Sequence, residues 1–84
     1  MITIRNAQHL ARLLQHLRER GGLSRRDLAA RLFVTGTTIG YRERGRSGWD
    51  TDSTIDAAHI LGFDLALVPS RRPGRRPTGT GWPA

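Results

Sequence analysis

Residues 23–45 read LSRRDLAARLFVTGTTIGYRERG, and this stretch predicts two short helices joined by a tight turn. The first helix begins at Ser24, whose hydroxyl can accept from the backbone amide of Asp27 while the Asp27 carboxylate accepts in return. The buried face of this helix is predicted to consist of Leu28, Ala29 and Leu32. Its outer face is expected to carry Arg25, Arg26 and Arg31.

The second helix of the pair is predicted to begin at its N-cap Thr35 and to end at Arg44, before Gly45. Ile39 is its inward position. The outer face, at helical spacing, consists of Thr37, Gly40, Tyr41 and Arg44. Glycine inside a helix costs roughly 1 kcal/mol relative to alanine, so we interpret this face as one that a partner approaches closely. The alternative is a poor helix in a marginal protein.

A helical pattern precedes the pair. Asn6 is its predicted N-cap, and Gly21 and Gly22 end the helix at about Arg20. Its apolar stripe consists of Leu10, Leu13, Leu14 and Leu17. Arg18 is assigned to the opposite, polar face. We therefore expect this helix to pack one side against the pair.

The chain beyond the pair predicts one more helix and a short strand. Ser53 is expected to cap the helix with Asp56 as its reciprocal acid, and Trp49 to fill the core before it. In residues 63–69 the apolar period changes to two, with one face made of Phe63, Leu65 and Leu67. A lone strand needs a partner, so we expect pairing with a second copy across a two-fold axis. The alternatives are an extension folded back onto its own domain and a continued helix.

Charge points to a polyanionic partner. The 84 residues include 14 basic side chains, all arginine, against seven acidic ones, which gives a net charge of +7. Such a chain attracts nucleic acid or an acidic membrane surface. Residues 70–84 form a basic tail rich in proline and glycine, and RRPGRRP within it loosely resembles the AT-hook. We interpret it first as a non-specific basic tail that contacts the DNA backbone through Arg71, Arg72, Arg75 and Arg76, and minor-groove binding by the same residues is the alternative.

Several kinds of function are not predicted. The chain has no cysteine, and His9, His16 and His59 show no metal-ligand spacing, so neither a metal nor a cofactor is expected. Neither a nucleophile triad nor a glycine-rich phosphate loop appears, which argues against an enzyme. The apolar runs are too short for a membrane span, and no signal peptide is evident. These features predict a cytoplasmic protein of a bacterial host without a membrane partner.

The pattern of residues 23–45 resembles the helix-turn-helix of the XRE family, the lambda-repressor-like DNA-binding domains. The matching positions are Leu28, Ala29, Leu32, Val34, Ile39 and the ending Glu43, Arg44 and Gly45. With the flanking helices, the resemblance covers residues 10–62. It implies a bundle of four to five helices in which the second motif helix enters the major groove.

The resemblance also implies roles for individual residues. Base edges are expected to be read by Gly36, Thr37 and Tyr41, to which we add Arg44. Phosphates are expected to be held by Arg25, Thr35 and Arg46, to which we add Arg26 and Arg42. Three positions depart from the family pattern: Arg25 replaces a glutamine, Phe33 replaces the turn glycine, and Arg42 replaces an apolar residue.

Taken together, the sequence predicts an all-α protein. Residues 1–62 would form the DNA-binding domain, 63–69 a dimerisation strand, and 70–84 a flexible tail. The predicted function is a sequence-specific, homodimeric regulator of transcription, of the phage or bacterial repressor kind, whose helix 35–44 enters the major groove. The alternatives are an antitoxin that also represses its own promoter, with a toxin as partner, and an adaptor that binds another protein through the same fold.

Overall fold

A computed structural model describes residues 1–69, which form four helices and no strand. The helices are α1 (Ala7–Arg20), α2 (Arg25–Leu32), α3 (Gly36–Glu43) and α4 (Thr51–Ile60). The predicted all-α fold is therefore confirmed, with four helices. Within the same residues, no helix is long and apolar enough to cross a membrane.

Side-chain caps fix where the helices begin. Asn6 Oδ1 accepts from the His9 amide at 2.8 Å, and Thr35 Oγ1 accepts from the Thr38 amide at 3.1 Å, as the sequence predicts. The reciprocal box of Ser24 and Asp27 also forms, with both bonds at 3.0 Å. The Ser24 backbone amide, donating to the Asp27 carboxylate, lowers the pKa of that carboxyl.

The start of α4 differs from the prediction. Its N-cap is Asp50, whose carboxylate accepts from the Ser53 amide at 2.7 Å, so the assignment of Ser53 as N-cap was wrong. Aspartate is as good an N-cap as serine, and Asp50, three residues before Ser53, accepts from an amide of the first turn of α4. The Ser53 backbone hydrogen bond lowers the pKa of the Asp50 carboxyl.

The core centres on α2, which packs against both α3 and α4. Leu28 and Ile39 are fully buried, and Ala29 between them lets the helices approach closely. The partly buried side chains packed around this centre are Leu32, Val34, Trp49 and Ile60. The prediction that Trp49 fills the core is thus confirmed. Helix α1 packs against α3 and contributes the buried Ala11 and Leu14.

A buried ion pair joins α1 to α3. Arg18 Nε donates to Glu43 Oε2 at 2.6 Å, and Arg18 Nη2 donates to Glu43 Oε1 at 3.1 Å. Arg18 Nη1 also donates to the Leu23 carbonyl at 2.9 Å. The assignment of Arg18 to a solvated polar face was therefore wrong. The residue lies one helical turn beyond the buried Leu14, so its side chain points into the bundle, where Glu43 makes its burial tolerable.

Residues 63–69 follow α4 without regular secondary structure. Gly62 takes a positive φ of 89°, and the Phe63 amide donates to the Ala58 carbonyl at 2.8 Å, which turns the chain out of the helix. The alternative of a continued helix is therefore wrong. The segment borders a cavity of about 690 Å³ that is also lined by α1 and by residues 1–4. Its pairing with a second copy stays a prediction.

Removing one partner of the Arg18–Glu43 pair is expected to do more damage than replacing both. Glu43→Ala leaves Arg18 buried without its counter-charge, so it should lower the free energy of unfolding by about 3–5 kcal/mol in urea denaturation. Arg18→Met/Glu43→Leu should cost much less, because apolar side chains of similar length need no counter-charge. The exposed Glu19→Ala is the control and should change stability by less than about 0.5 kcal/mol. Equal losses for the single and double variants would contradict this account.

Candidate nucleic-acid interface

The turn between α2 and α3 sets the angle between the two helices, and Phe33 is its left-handed residue. Phe33 is in the left-handed region at φ 58° and ψ 39°, so the position where the related domains carry glycine takes a positive φ in this chain. The Val34 amide donates to the Ala29 carbonyl at 3.0 Å and closes the turn. The Phe33 side chain is 95% exposed. The chain therefore accepts a Cβ clash of roughly 1–2 kcal/mol with no packing gain at that side chain.

Helix α3 separates an anchored side from an open side. Ile39 and Glu43 are buried, while Thr37, Tyr41 and Arg44 are exposed. The spacing of four residues between Thr37 and Tyr41 places them one above the other on the helix. The expected base-reading residues Thr37, Tyr41 and Arg44 are thus brought together on one exposed helix face.

The glycines of α3 have different surroundings. A Cβ on Gly36 would lie 3.9 Å from the nearest backbone atoms of Arg26, so the chain itself leaves room for a side chain there. A Cβ on Gly40 would lie 3.4 Å from the guanidinium of Arg44, which folds back over this glycine. The Arg44 guanidinium also lies 5.6 Å from the centre of the Tyr41 ring. Gly40 therefore lets Arg44 lie close along α3, beside Tyr41.

The candidate phosphate-binding residues lie at the start of α2 and at both ends of α3. Arg26 is exposed in the first turn of α2, and Arg46 is exposed after α3, where its amide donates to the Tyr41 carbonyl at 2.8 Å. Thr35 is exposed at the α3 cap, and its hydroxyl lies 2.9 Å from that of Thr38. The helix starts add unpaired amides and the positive end of the helix dipole. These groups are well suited to hold an anion.

Arg42 is placed differently from the other candidates. Its guanidinium stacks over Trp49 at 5.1 Å from the ring centre, and its Nη1 is buried without a hydrogen-bond partner. The Nε1 of Trp49 is likewise buried and unpaired. Arg42, at a position that is apolar in the related domains, therefore packs against Trp49 instead of projecting fully into solvent.

Arg25 is partly engaged within the chain. Its Nε donates to Glu43 Oε1 at 2.9 Å, and its side chain remains 42% exposed while that of Glu43 is 1% exposed. The sequence pattern missed this contact and the Arg18–Glu43 pair, because partners 18 and 25 residues apart leave no local signal. The single available hint was the position of Arg18 four residues after Leu14, on the apolar stripe.

Two predictions concern the tail arginines and metal binding. Arg71, Arg72, Arg75 and Arg76 of the predicted tail lie outside the described residues. Within residues 1–69, no cluster of three or more histidine, aspartate or glutamate side chains could hold a metal ion.

Comparison with known proteins supports the identity of the motif. The model of the helix-turn-helix domain family matches residues 9–70, well over half of the chain. The chain therefore belongs to this family, consistent with its resemblance to the XRE domains, and membership indicates a DNA-binding regulator. No curated protein and no solved structure matches the chain.

Replacing Phe33 tests whether the turn is strained. Phe33→Gly should raise the free energy of unfolding by about 0.5–1 kcal/mol, because glycine adopts positive φ without a Cβ clash and gives back part of the gain as unfolded-chain entropy. Phe33→Ala retains the Cβ and is the matched control, so its urea midpoint should stay close to that of the unchanged protein. A glycine variant no more stable than the alanine variant would contradict the assigned strain.

Proposed function

We propose that this helix-turn-helix protein is a transcriptional repressor that recognises an operator in duplex DNA by placing α3 in the major groove. The observation that supports this most is the division of α3 into an anchored side, Ile39 and Glu43, and an open side, Thr37 and Tyr41. The major groove is about 12 Å wide and admits such a helix. A helix held rigidly from behind can present its front residues to base edges at a fixed depth.

Base readout is assigned to the open side. Thr37 offers a hydroxyl and a methyl group, Tyr41 a hydroxyl and a ring, and Arg44 a planar fork suited to guanine. Gly36 contributes close approach in place of a side chain, since the chain leaves its Cβ position free. The number of reading side chains is small, so sequence-dependent DNA shape is expected to add to the specificity.

Phosphate binding is assigned to side chains around that face. Arg25, Arg26 and Thr35 stand at helix starts, and Arg46 stands just after α3. Arg42, with its Nη1 buried over Trp49, is assigned to supporting the loop that carries Arg46 rather than to touching a phosphate itself. The net charge of +7 adds a long-range attraction to any duplex.

Repression is proposed to require a homodimer. Phe63 and Leu65 are nearly half exposed, and Leu67 is 97% exposed, in a segment that pairs with no strand among residues 1–69. Antiparallel pairing of this segment between two copies would satisfy its backbone and cover these side chains. A two-fold dimer reads a near-palindrome whose half-sites lie about 34 Å apart. A repressor seated there would exclude polymerase from an overlapping promoter.

Substitutions should separate phosphate contacts from base contacts on a site selected from random duplex DNA. Arg26→Ala and Arg46→Ala should weaken binding to the selected site and to random duplex by the same factor, and lower the salt slope by about one each. Thr37→Ala and Tyr41→Ala should instead reduce discrimination between the two duplexes, by about 1–3 kcal/mol. Fluorescence anisotropy over a salt series measures both quantities.

The matched control for these variants is Arg12→Ala, which removes the same charge from α1, outside α2 and α3. Its effect on salt slope should be smaller than that of Arg26→Ala, since screening weakens a charge that contacts no phosphate. Equal losses on selected and random duplex for Thr37→Ala and Tyr41→Ala would contradict the assigned base readout. A selection that enriches no sequence would reject sequence-specific binding altogether.

Sedimentation should test the dimer without disturbing the monomer fold. Leu67→Glu adds a charge where the side chain is 97% exposed, and Leu65→Pro removes an amide from the pairing segment. Both should give monomers with unchanged helix content, because neither residue belongs to the four-helix core. Asp64→Ala, in the same segment, is the control and should remain dimeric. An unchanged mass for both leucine variants would rule out the segment as the interface.

A further inference from the structure

The Glu43 carboxylate contacts two arginines that have very different surroundings. Arg18 binds both carboxylate oxygens, at 2.6 Å and 3.1 Å, and its side chain is almost fully buried. Arg25 binds one of these oxygens, at 2.9 Å and through Nε alone, and its side chain is nearly half exposed. One negative charge therefore lies against two positive ones, and the uncompensated charge lies on the arginine that reaches solvent.

Arg18 already satisfies Glu43. A bidentate arginine–carboxylate pair uses both oxygens of the acid and fixes its plane. The remaining Nη1 of Arg18 is bound to the Leu23 carbonyl, so each of the three guanidinium nitrogens of Arg18 makes a hydrogen bond. The bond from Arg25 is thus not needed to neutralise the buried carboxylate. The bond instead restrains Arg25, because it holds the long side chain in one orientation.

The shape of the guanidinium decides what this orientation leaves free. The group is a planar fork with five donors, and its Nε side and its Nη1–Nη2 side can bind different partners. Because the Arg25 bond to Glu43 uses Nε, the edge made by the two terminal amino groups stays available. Arg25 is also the first residue of α2, where backbone amides and the helix dipole favour an anion.

We propose that Glu43 is a positioning residue for DNA binding: from inside the bundle it holds Arg25 with its free edge ready for a phosphate. This inference rests on the proposed function. Binding to Glu43 and to phosphate uses different edges of Arg25, so the two contacts coexist rather than compete. The rotamer freedom that Arg25 would lose on binding DNA is already lost in the free protein, which strengthens the phosphate contact.

A lysine at position 25 distinguishes positioning from simple charge. Arg25→Lys keeps the charge, and as a half-exposed substitution it leaves the Arg18–Glu43 pair in place. Its single ammonium nitrogen is a point charge without a planar fork, so a bond to Glu43 cannot hold a separate pair of donors toward phosphate. Binding to random duplex should therefore weaken by about 3- to 10-fold for Arg25→Lys, nearly as much as for Arg25→Ala. Affinity unchanged by Arg25→Lys would overturn the proposal.

A double-mutant cycle then tests the role of Glu43 itself. In the background Arg18→Met/Glu43→Leu, checked for helix content and cooperative unfolding, Arg25→Ala should cost less than about 2-fold in affinity, against about 3- to 10-fold in the natural chain. Arg26→Ala, next to it on α2 but without a bond to Glu43, should cost the same in both backgrounds. Tighter binding after loss of Glu43 would show competition and overturn the proposal, as would an equal cost of Arg25→Ala in both.

The proposed DNA binding and the positioning role of Glu43 predict different failures. If the natural chain shows no salt-dependent binding to any duplex, both the proposed function and the positioning role are overturned. If the natural chain binds and Arg26→Ala lowers the salt slope, but Arg25→Lys binds like the natural protein, only the positioning role fails. The lysine variant decides this even if the Met/Leu background does not fold.

Discussion

Glu43 holds three helices through one buried carboxylate. It belongs to α3, pairs bidentately with Arg18 of α1, and accepts a further bond from Arg25 of α2. Such a pair adds little net stability over an apolar contact, because desolvating two charges offsets most of their attraction. What it supplies is geometry, since a buried bidentate pair limits the relative orientations that its two helices can take. The orientation of α3 against α1 is therefore set by charge, while the Leu28–Ile39 contact supplies apolar burial.

That constraint matters because α3 is intrinsically weak. It has eight residues, two of them glycine, and isolated helices of that length do not persist in water. The turn before it adds strain at Phe33, whose exposed ring gives no packing in return. Each of these features costs about 1 kcal/mol or more, which is a large share for a small domain. The two glycines and Phe33 all lie in the helix-turn-helix motif. The buried contacts of Ile39 and Glu43 compensate for their cost.

The sequence predicted what depends on local chemistry. The Asn6, Ser24 and Thr35 caps and the inward Leu28 and Ile39 follow from short-range patterns, and the structure confirms them. The errors lie elsewhere. At α4, two capping residues three positions apart competed, and Asp50 was overlooked. The Arg18–Glu43 pair joins residues 25 apart, and the one local hint, the position of Arg18 four residues after Leu14, does not reveal its partner. The arrangement of the outer residues of α3 was predictable, whereas the internal engagement of Arg25 and Arg42 was not.

For DNA recognition, this arrangement links the depth at which α3 would enter the major groove to the phosphate contacts. The open side of α3 has few side chains with which to discriminate bases, and a good bidentate contact supplies only about 1–3 kcal/mol. Such a face reads reliably only if the helix enters the groove at a fixed depth, and phosphate contacts set that depth. Here the carboxylate that pairs α3 with α1 also accepts a hydrogen bond from Arg25, the first residue of α2, where we propose that a phosphate binds. In the proposed complex, the reading helix α3 and the phosphate contact of Arg25 would both be positioned through Glu43, so a shift of α3 relative to α2 would strain a hydrogen bond to Glu43.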